Sequence, residues 1–305
     1  MKASVLAPPG APSIRKTASR RSLESRGQWA IASARFRRHK LAVAGSIVIV
    51  LLVLAGALAS VVSPHDPDGV DMAHRFEPPN SAGFLLGTDE LGRDLVSRLL
   101  HAGQISLFVG FSAMAVTIAV GALAGAVAAH FGGAVGITVM RFTDVVMSFP
   151  TVFLLLVLAS FAGSTVFSIA LIIGLTAWMQ LARIVHAQAL SLKAQDYVLA
   201  ANALGASDWR IIFRHLLPNT VGSIVVAGTF NVANAILAES YISYLGYGIQ
   251  PPTASWGSML NNAQSYFDTA AWLAIFPGLF IAVTVTSFNF VGDGLRDALD
   301  PRMRL

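Results

Sequence analysis

The 305-residue chain contains no cysteine, which removes disulfides, thiolate metal ligands and cysteine nucleophiles. Charge is scarce, at 12% of residues, where a soluble domain carries about a quarter. The four lysines, Lys2, Lys16, Lys40 and Lys193, all follow residues other than glycine. A Walker A loop needs a Gly-Lys pair to cradle phosphate, so this chain has no such nucleotide site. The seven histidines are dispersed, without HxxxH spacing or acidic companions, and suggest no metal cage. No Gly-x-Ser-x-Gly elbow occurs either. The residues offer no catalytic group, no metal ligands and no cofactor site.

What is present is hydrocarbon. Hydrophobic residues make up 55% of the chain and mean hydropathy is +0.65, the composition of an integral membrane protein. Six stretches can cross about 30 Å of hydrocarbon at about 1.5 Å per residue. The first, "LAVAGSIVIVLLVLAGALASVV" at 41–62, has no charge; the others centre on 104–129, 138–162, 165–184, 219–245 and 270–291. Arg141, Asp144 and Glu239 interrupt the third and fifth.

The net charge of +5 follows the spans, which argues against a nucleic acid partner. Residues 1–40 hold ten of the 21 basic residues and one acid, Glu24. The 63–102 loop reverses this, with seven acids against Arg75, Arg93 and Arg98. Lys193, Arg210 and Arg214 lie in 185–217, none in 246–268, and Arg296, Arg302 and Arg304 follow the last span. Under the positive-inside rule, six spans with both termini cytoplasmic satisfy every segment. The expected order is a basic tail (1–40), a first span (41–62), an extracytoplasmic loop (63–102), a five-span core (103–292) and a cytoplasmic tail (293–305). An uncleaved signal anchor is expected over a cleaved leader, because an apolar run of 22 residues exceeds a usual signal core.

Residues 1–26, rich in Ala, Ser, Pro and Arg, are expected to lack fixed structure. Trp29 and Phe36 beside the following basic cluster suit either an interfacial helix on anionic lipid or a plain positive-inside anchor. Gly121, Gly125 and Ala129 recur every four residues, a face on which two helices can pack closely. Pro150 and Pro277 fall inside spans and are expected to bend them. Among intramembrane charges, Arg141 and Asp144 are spaced to pair on one helix face. Glu239, with Asn231 and Asn234 before it, suits either a translocation pathway or an inter-subunit hydrogen bond.

One cytoplasmic stretch fits neither membrane nor loop: "LGASDWRIIFRHLLPN" at 204–219. Gly205 permits a sharp turn, and Ser207 or Asp208 can cap a short helix after it. Trp209, Ile212, Phe213 and Leu216 then form one apolar stripe, with Arg210 and Arg214 on another side. Pro218 suits the first turn of the next span. A two-turn helix cannot hold itself together in water, so the stripe needs burial against its own chain or a partner.

The run "AANALGASDWRIIFRHLLP" (200–218) resembles the EAA motif of binding-protein-dependent ABC import permeases. Ala200, Ala201, Gly205, Leu217 and Pro218 fall in register, while Leu199 replaces the motif's Glu and His215 its Ile. "LLGTDELGRDLVSRLLHAGQISLFVG" (85–110), "AESYISYLGYGIQPPTASWGSML" (238–260) and "FNFVGDGLRDALDPRMR" (288–304) are similar to further stretches of the peptide and nickel permeases. The resemblance covers about 85–305 and implies the second permease of a dipeptide/oligopeptide-type pair. It implies an all-α integral membrane fold of six transmembrane helices, the type I ABC importer permease fold, with a coupling helix within the cytoplasmic 196–218 segment. Ala200, Ala201, Gly205, Ala206, Ser207, Asp208, Trp209, Phe213, Leu217 and Pro218 would contact an ATPase.

The implied partners are a homologous permease, two ABC ATPase subunits or one fused ATPase that would use ATP and Mg, an extracytoplasmic substrate-binding protein, membrane lipid and a peptide substrate. The site of action would be the bacterial cytoplasmic membrane. The 63–102 and 246–268 loops are the expected contacts for the binding protein. Relatives that carry nickel complexes, haem or glutathione leave the substrate open. A competing class, an ion-coupled secondary transporter, would use Glu239 or Asp144 and has no reason to carry the 196–218 segment.

Overall fold

The computed structural model describes residues 28–299. The expectations for 1–26, for Arg302 and Arg304, and for the Trp29 side chain lie outside the described residues. The described chain is helical, with only isolated bridges such as Thr88 with Asp94 outside the helices. Helix α1 (Gln28–Phe36) precedes α2 (Lys40–Ala57), which adds a turn at Ala59–Val62; then come α3 (Leu95–Phe131), α4 (Gly133–Met147) and α5 (Thr151–Ala162). They are followed by α6 (Val166–Lys193), α7 (Asp196–Ala203), α8 (Asp208–Tyr244), α9 (Trp256–Ala263) and α10 (Trp272–Leu299).

Five of these, α2, α3, α6, α8 and α10, are long and apolar enough to cross a membrane, or six spans if α4 and α5 count as one. The pair differs from the continuous third span expected at 138–162: it bends by 90° at Pro150. Proline lacks the N–H that would extend α4 and disfavours helix at the preceding residue. Pro277 has no such effect, and α10 runs through it unbroken.

Two boundaries also differ. The second span begins at Leu95, inside the stretch expected to be loop, because Asp94 caps it by accepting from the Ser97 backbone N–H at 2.8 Å. The charges there are neutralised in place: Arg93 donates to Asp89 at 2.7 Å, and buried Arg98 lies 3.4 Å from Asp89 and 3.3 Å from Asp68. At the other end α10 carries Arg296 within the helix, so the expected tail at 293–305 is helical to Leu299. The 246–268 loop likewise contains α9, closed by a capping box at Ser255 and Ser258.

The small-residue face of α3 packs on α6. A Cβ at Gly121 would lie 2.7 Å from the Trp178 carbonyl oxygen, and one at Gly125 only 2.4 Å from that of Ala182. Helix α8 crosses the same pair, setting Ile224, Ile211, Ile212 and Leu216 into a core with Ala122, Ala126, Leu181 and Val185. Helix α2 is peripheral, with Ile47, Val50, Leu51 and Leu54 outward, the all-round apolarity of a lipid-facing helix. At its start His39 accepts from the Ala42 backbone N–H at 3.1 Å.

Gly125→Leu should drive its side chain into α6 backbone. We expect it to cost at least the ~1–3 kcal/mol of ordinary overpacking and to remove the monodisperse peak in detergent size-exclusion chromatography. Gly278→Ala, where an added Cβ meets nothing within 4 Å, should retain that peak.

Candidate functional site

The 196–218 segment forms one end of the bundle. Helix α7 closes on Gly205, whose φ of +80° is the left-handed conformation that a side chain disfavours. Ser207 takes the N-cap position of α8 but makes no side-chain cap bond, contrary to expectation. Asp208 points away from the cap: its carboxylate lies 2.8 Å from His130 Nε2, at the end of α3. Lys193, the last residue of α6, donates to the His130 backbone carbonyl at 2.5 Å. One histidine therefore ties the start of α8 to the ends of both α3 and α6.

The expected apolar stripe divides into two faces. Ile212 and Leu216, with Ile211 and Val198, are buried in the bundle's own core. Leu204, Trp209 and Phe213 stay outside at 88%, 54% and 56% exposure, with the Trp209 and Phe213 rings stacked 5.9 Å apart. Ala201, Gly205 and Ala206 line a shallow hollow beside them with Arg210, Arg214 and His215. Ala200, Pro218 and Leu199 are exposed and Leu217 is half-buried. His215 lies 6.1 Å from the Tyr197 ring, bridging α7 and α8.

The division has a local cause. Residues Ile212–Leu216 form a π turn, in which the Leu217 N–H bonds back to the Ile212 carbonyl. Pro218 has no N–H and its ring would press on the carbonyl four residues earlier, a clash that the wider turn relieves. The Asn219 side-chain amide donates to the His215 carbonyl at 2.6 Å. The short helix expected after Gly205 thus continues directly into the span.

Midway along α6 and α8 two cavities, of ≈300 Å³ and ≈210 Å³, share Ala177, Gln180, Asn231 and Asn234. Asn231 and Asn234 thus come together on a hollow, and Glu239 does not join them. Gln180 was missed in the sequence; a lone amide three residues before Arg183 in an apolar span was the available signal. One turn further, Arg183 donates to Asp144 of α4. Asp144's main partner is therefore on another helix, and the expected Arg141 contact is the longer one at 3.7 Å.

Residues 117–305 match the family model described as binding-protein-dependent transport system inner membrane component. Residues 27–79 match the N-terminal TM domain of oligopeptide transport permease C. The chain belongs to this permease family. It is 38% identical over 283 residues to the oligopeptide transport system permease protein OppC of Haemophilus influenzae, covering 92% of this chain and 91% of that one. The OppC of Bacillus subtilis is 38% identical, covering 93% and 92%. The dipeptide transport system permease protein DppC of the same organism is 40% identical over 271 residues, 88% of this chain and 84% of its own.

In this multi-pass permease Glu239 is part of the scaffold. It is 0% exposed, and its carboxylate accepts from Ser255 at 2.6 Å, Ser243 at 2.7 Å and Ser106 at 3.4 Å. It therefore joins α3, α8 and the loop before α9 inside one chain; the structure does not place it on a pathway or at a subunit surface. Trp256, in a loop expected to meet a binding protein, is also internal, donating to the Leu99 carbonyl at 3.1 Å. Asp66, Asp68, Asp71 and Tyr247 remain exposed on these loops.

Glu239→Leu would strand three hydroxyls, each at about 1–3 kcal/mol. We expect a thermal midpoint lowered by several degrees in detergent, with Glu239→Gln recovering part of the loss. Separately, Asp144→Ala and Arg183→Ala should reduce transport alike. The exchanged pair Asp144→Arg with Arg183→Asp should recover transport if the contact is a structural tie between α4 and α6.

Proposed function

We propose that this permease is one half of the membrane channel of an ATP-driven importer of short peptides, and that its 196–218 segment is the docking element for an ATPase subunit. The observation that carries the reading is the exposed Leu204, Trp209 and Phe213 cluster at the start of α8, a helix that continues to the cavity amides Asn231 and Asn234. Large apolar groups exposed together on an element otherwise packed into its own core signal a protein interface. Their burial supplies about 1.5–3 kcal/mol each. Arg210 and Arg214 beside the hollow suit carboxylates on the partner. Relatives named as oligopeptide and dipeptide permeases support a peptide substrate.

In operation, ATP and Mg bound by two ATPase subunits, or by one fused ATPase, draw those subunits together. Each carries a docked segment with it. Because α8 is tied through His130 to α3 and α6, the pull reaches the spans that line the cavities. This permease then rocks against a homologous partner permease, alternating access between the two sides. A substrate-binding protein delivers peptide to the face carrying the 63–94 loop, where exposed Asp66, Asp68, Asp71 and Tyr247 offer contacts. The basic N-terminal segment and the 196–218 segment lie in the cytoplasm of a bacterium, both termini included. An ion-coupled mechanism would need Glu239 or Asp144 to reach the path; the first is enclosed by serines and the second is paired with Arg183.

Affinity capture of the tagged permease from its native membrane should bring down two ATPase chains (or one fused chain), a second permease and a solute-binding protein. Gly205→Val, which places a β-branched residue at φ +80°, should keep the protein in the membrane while cutting peptide uptake at least tenfold and releasing the ATPase. Normal uptake by that variant would sink the docking assignment. The purified permease alone should show no stoichiometric ATP binding by calorimetry.

A further inference from the structure

We infer that Gln180, Asn231 and Asn234 form a substrate site that holds main-chain amides and leaves side chains unread. This rests on the peptide reading above and says how such a substrate would be gripped. The three carboxamides are shared by both cavities at the middle of the bundle. Gln180 sits halfway along the 28-residue α6, about 20 Å from either end at about 1.5 Å per residue.

Hydrogen-bonding capacity is unspent at this place. Two threonines of the walls are engaged: Thr176 donates to the Ile172 and Ile173 carbonyls at 3.0 Å, and Thr117 to that of Gly174 at 3.2 Å. Among the described residues, Asn231 Oδ1 is buried and has no partner. A polar atom kept in that condition inside a membrane protein costs free energy unless a transported group meets it.

The chemistry of the lining selects the ligand. Each carboxamide presents one acceptor oxygen and two donor hydrogens, matching the C=O and N–H of a peptide bond. Among the described residues, no ionised side chain lines either cavity; Asp144 and Arg183 spend their charge on each other one turn away. A charged site would sort peptides by their acidic or basic side chains, and a neutral amide site does not. Apart from Thr117, Thr151 and Thr176, the remaining wall is apolar.

The test uses the complete importer in cells, with an equimolar library of mixed tripeptides whose disappearance from the medium is followed by mass spectrometry. The double variant Asn231→Leu with Asn234→Leu should slow uptake of the whole library by about tenfold or more, two lost hydrogen bonds each counting for a factor of several. The order of preference among peptides should stay unchanged, as should membrane level and ATP hydrolysis stimulated by the binding protein. Should the double variant fail to accumulate, Asn231→Ser and Asn234→Ser singly carry the same expectation at smaller size. Unchanged uptake, or a loss confined to peptides of one side-chain class, overturns the site while leaving the peptide importer intact. A wild-type complex that takes up no tripeptide overturns the peptide reading and this site with it.

Discussion

The backbone-to-backbone approach of α3 and α6 is the constraint from which the rest of the permease follows. Glycine at 121 and 125 leaves no room for a side chain against the Trp178 and Ala182 carbonyls, and this closeness fixes what each helix presents elsewhere. It brings His130, at the end of α3, within reach of Lys193 at the end of α6, so that Asp208 finds a fixed partner. It also leaves Gln180 of α6 facing the cavities and Arg183 facing α4. Packing of small residues is one of the few strong attractions available where lipid tails are as apolar as leucine.

Much of this was legible in the sequence because a membrane reduces the choices. Runs free of charge at 41–62 and 104–129 can be little else, since each backbone polar group in hydrocarbon must be satisfied within the chain. The Gly121, Gly125 and Ala129 face was visible as spacing. Pairing across helices was not visible. Asp144 looked toward Arg141 because three residues separate them, whereas Arg183 is 39 positions away and met only after folding. The break at Pro150 was read as a bend in one span, because proline is marked in sequence while the angle depends on what packs around it.

The same limit explains Glu239. A buried carboxylate in a span invites a functional reading when its neighbours in sequence are asparagines. Two of its actual partners, Ser106 and Ser255, come from other segments and met it only after folding; the third, Ser243, lies one turn along the same helix. The apolar stripe at 209–216 failed for a different reason. Its spacing assumed 3.6 residues per turn, and the π turn at Ile212–Leu216 changes the register along the segment itself.

That turn governs direction as well as shape. Each residue of an α-helix advances about 100° around the axis, and a π turn holds about one residue more than an α turn. The azimuth of Trp209 and Phe213 relative to Asn231 and Asn234 is accordingly offset by about that angle from an unbroken helix with the same residues. Pro218, which supplies no hydrogen bond of its own, works like the key of a shaft: it sets the compass bearing of one end of α8 against the other.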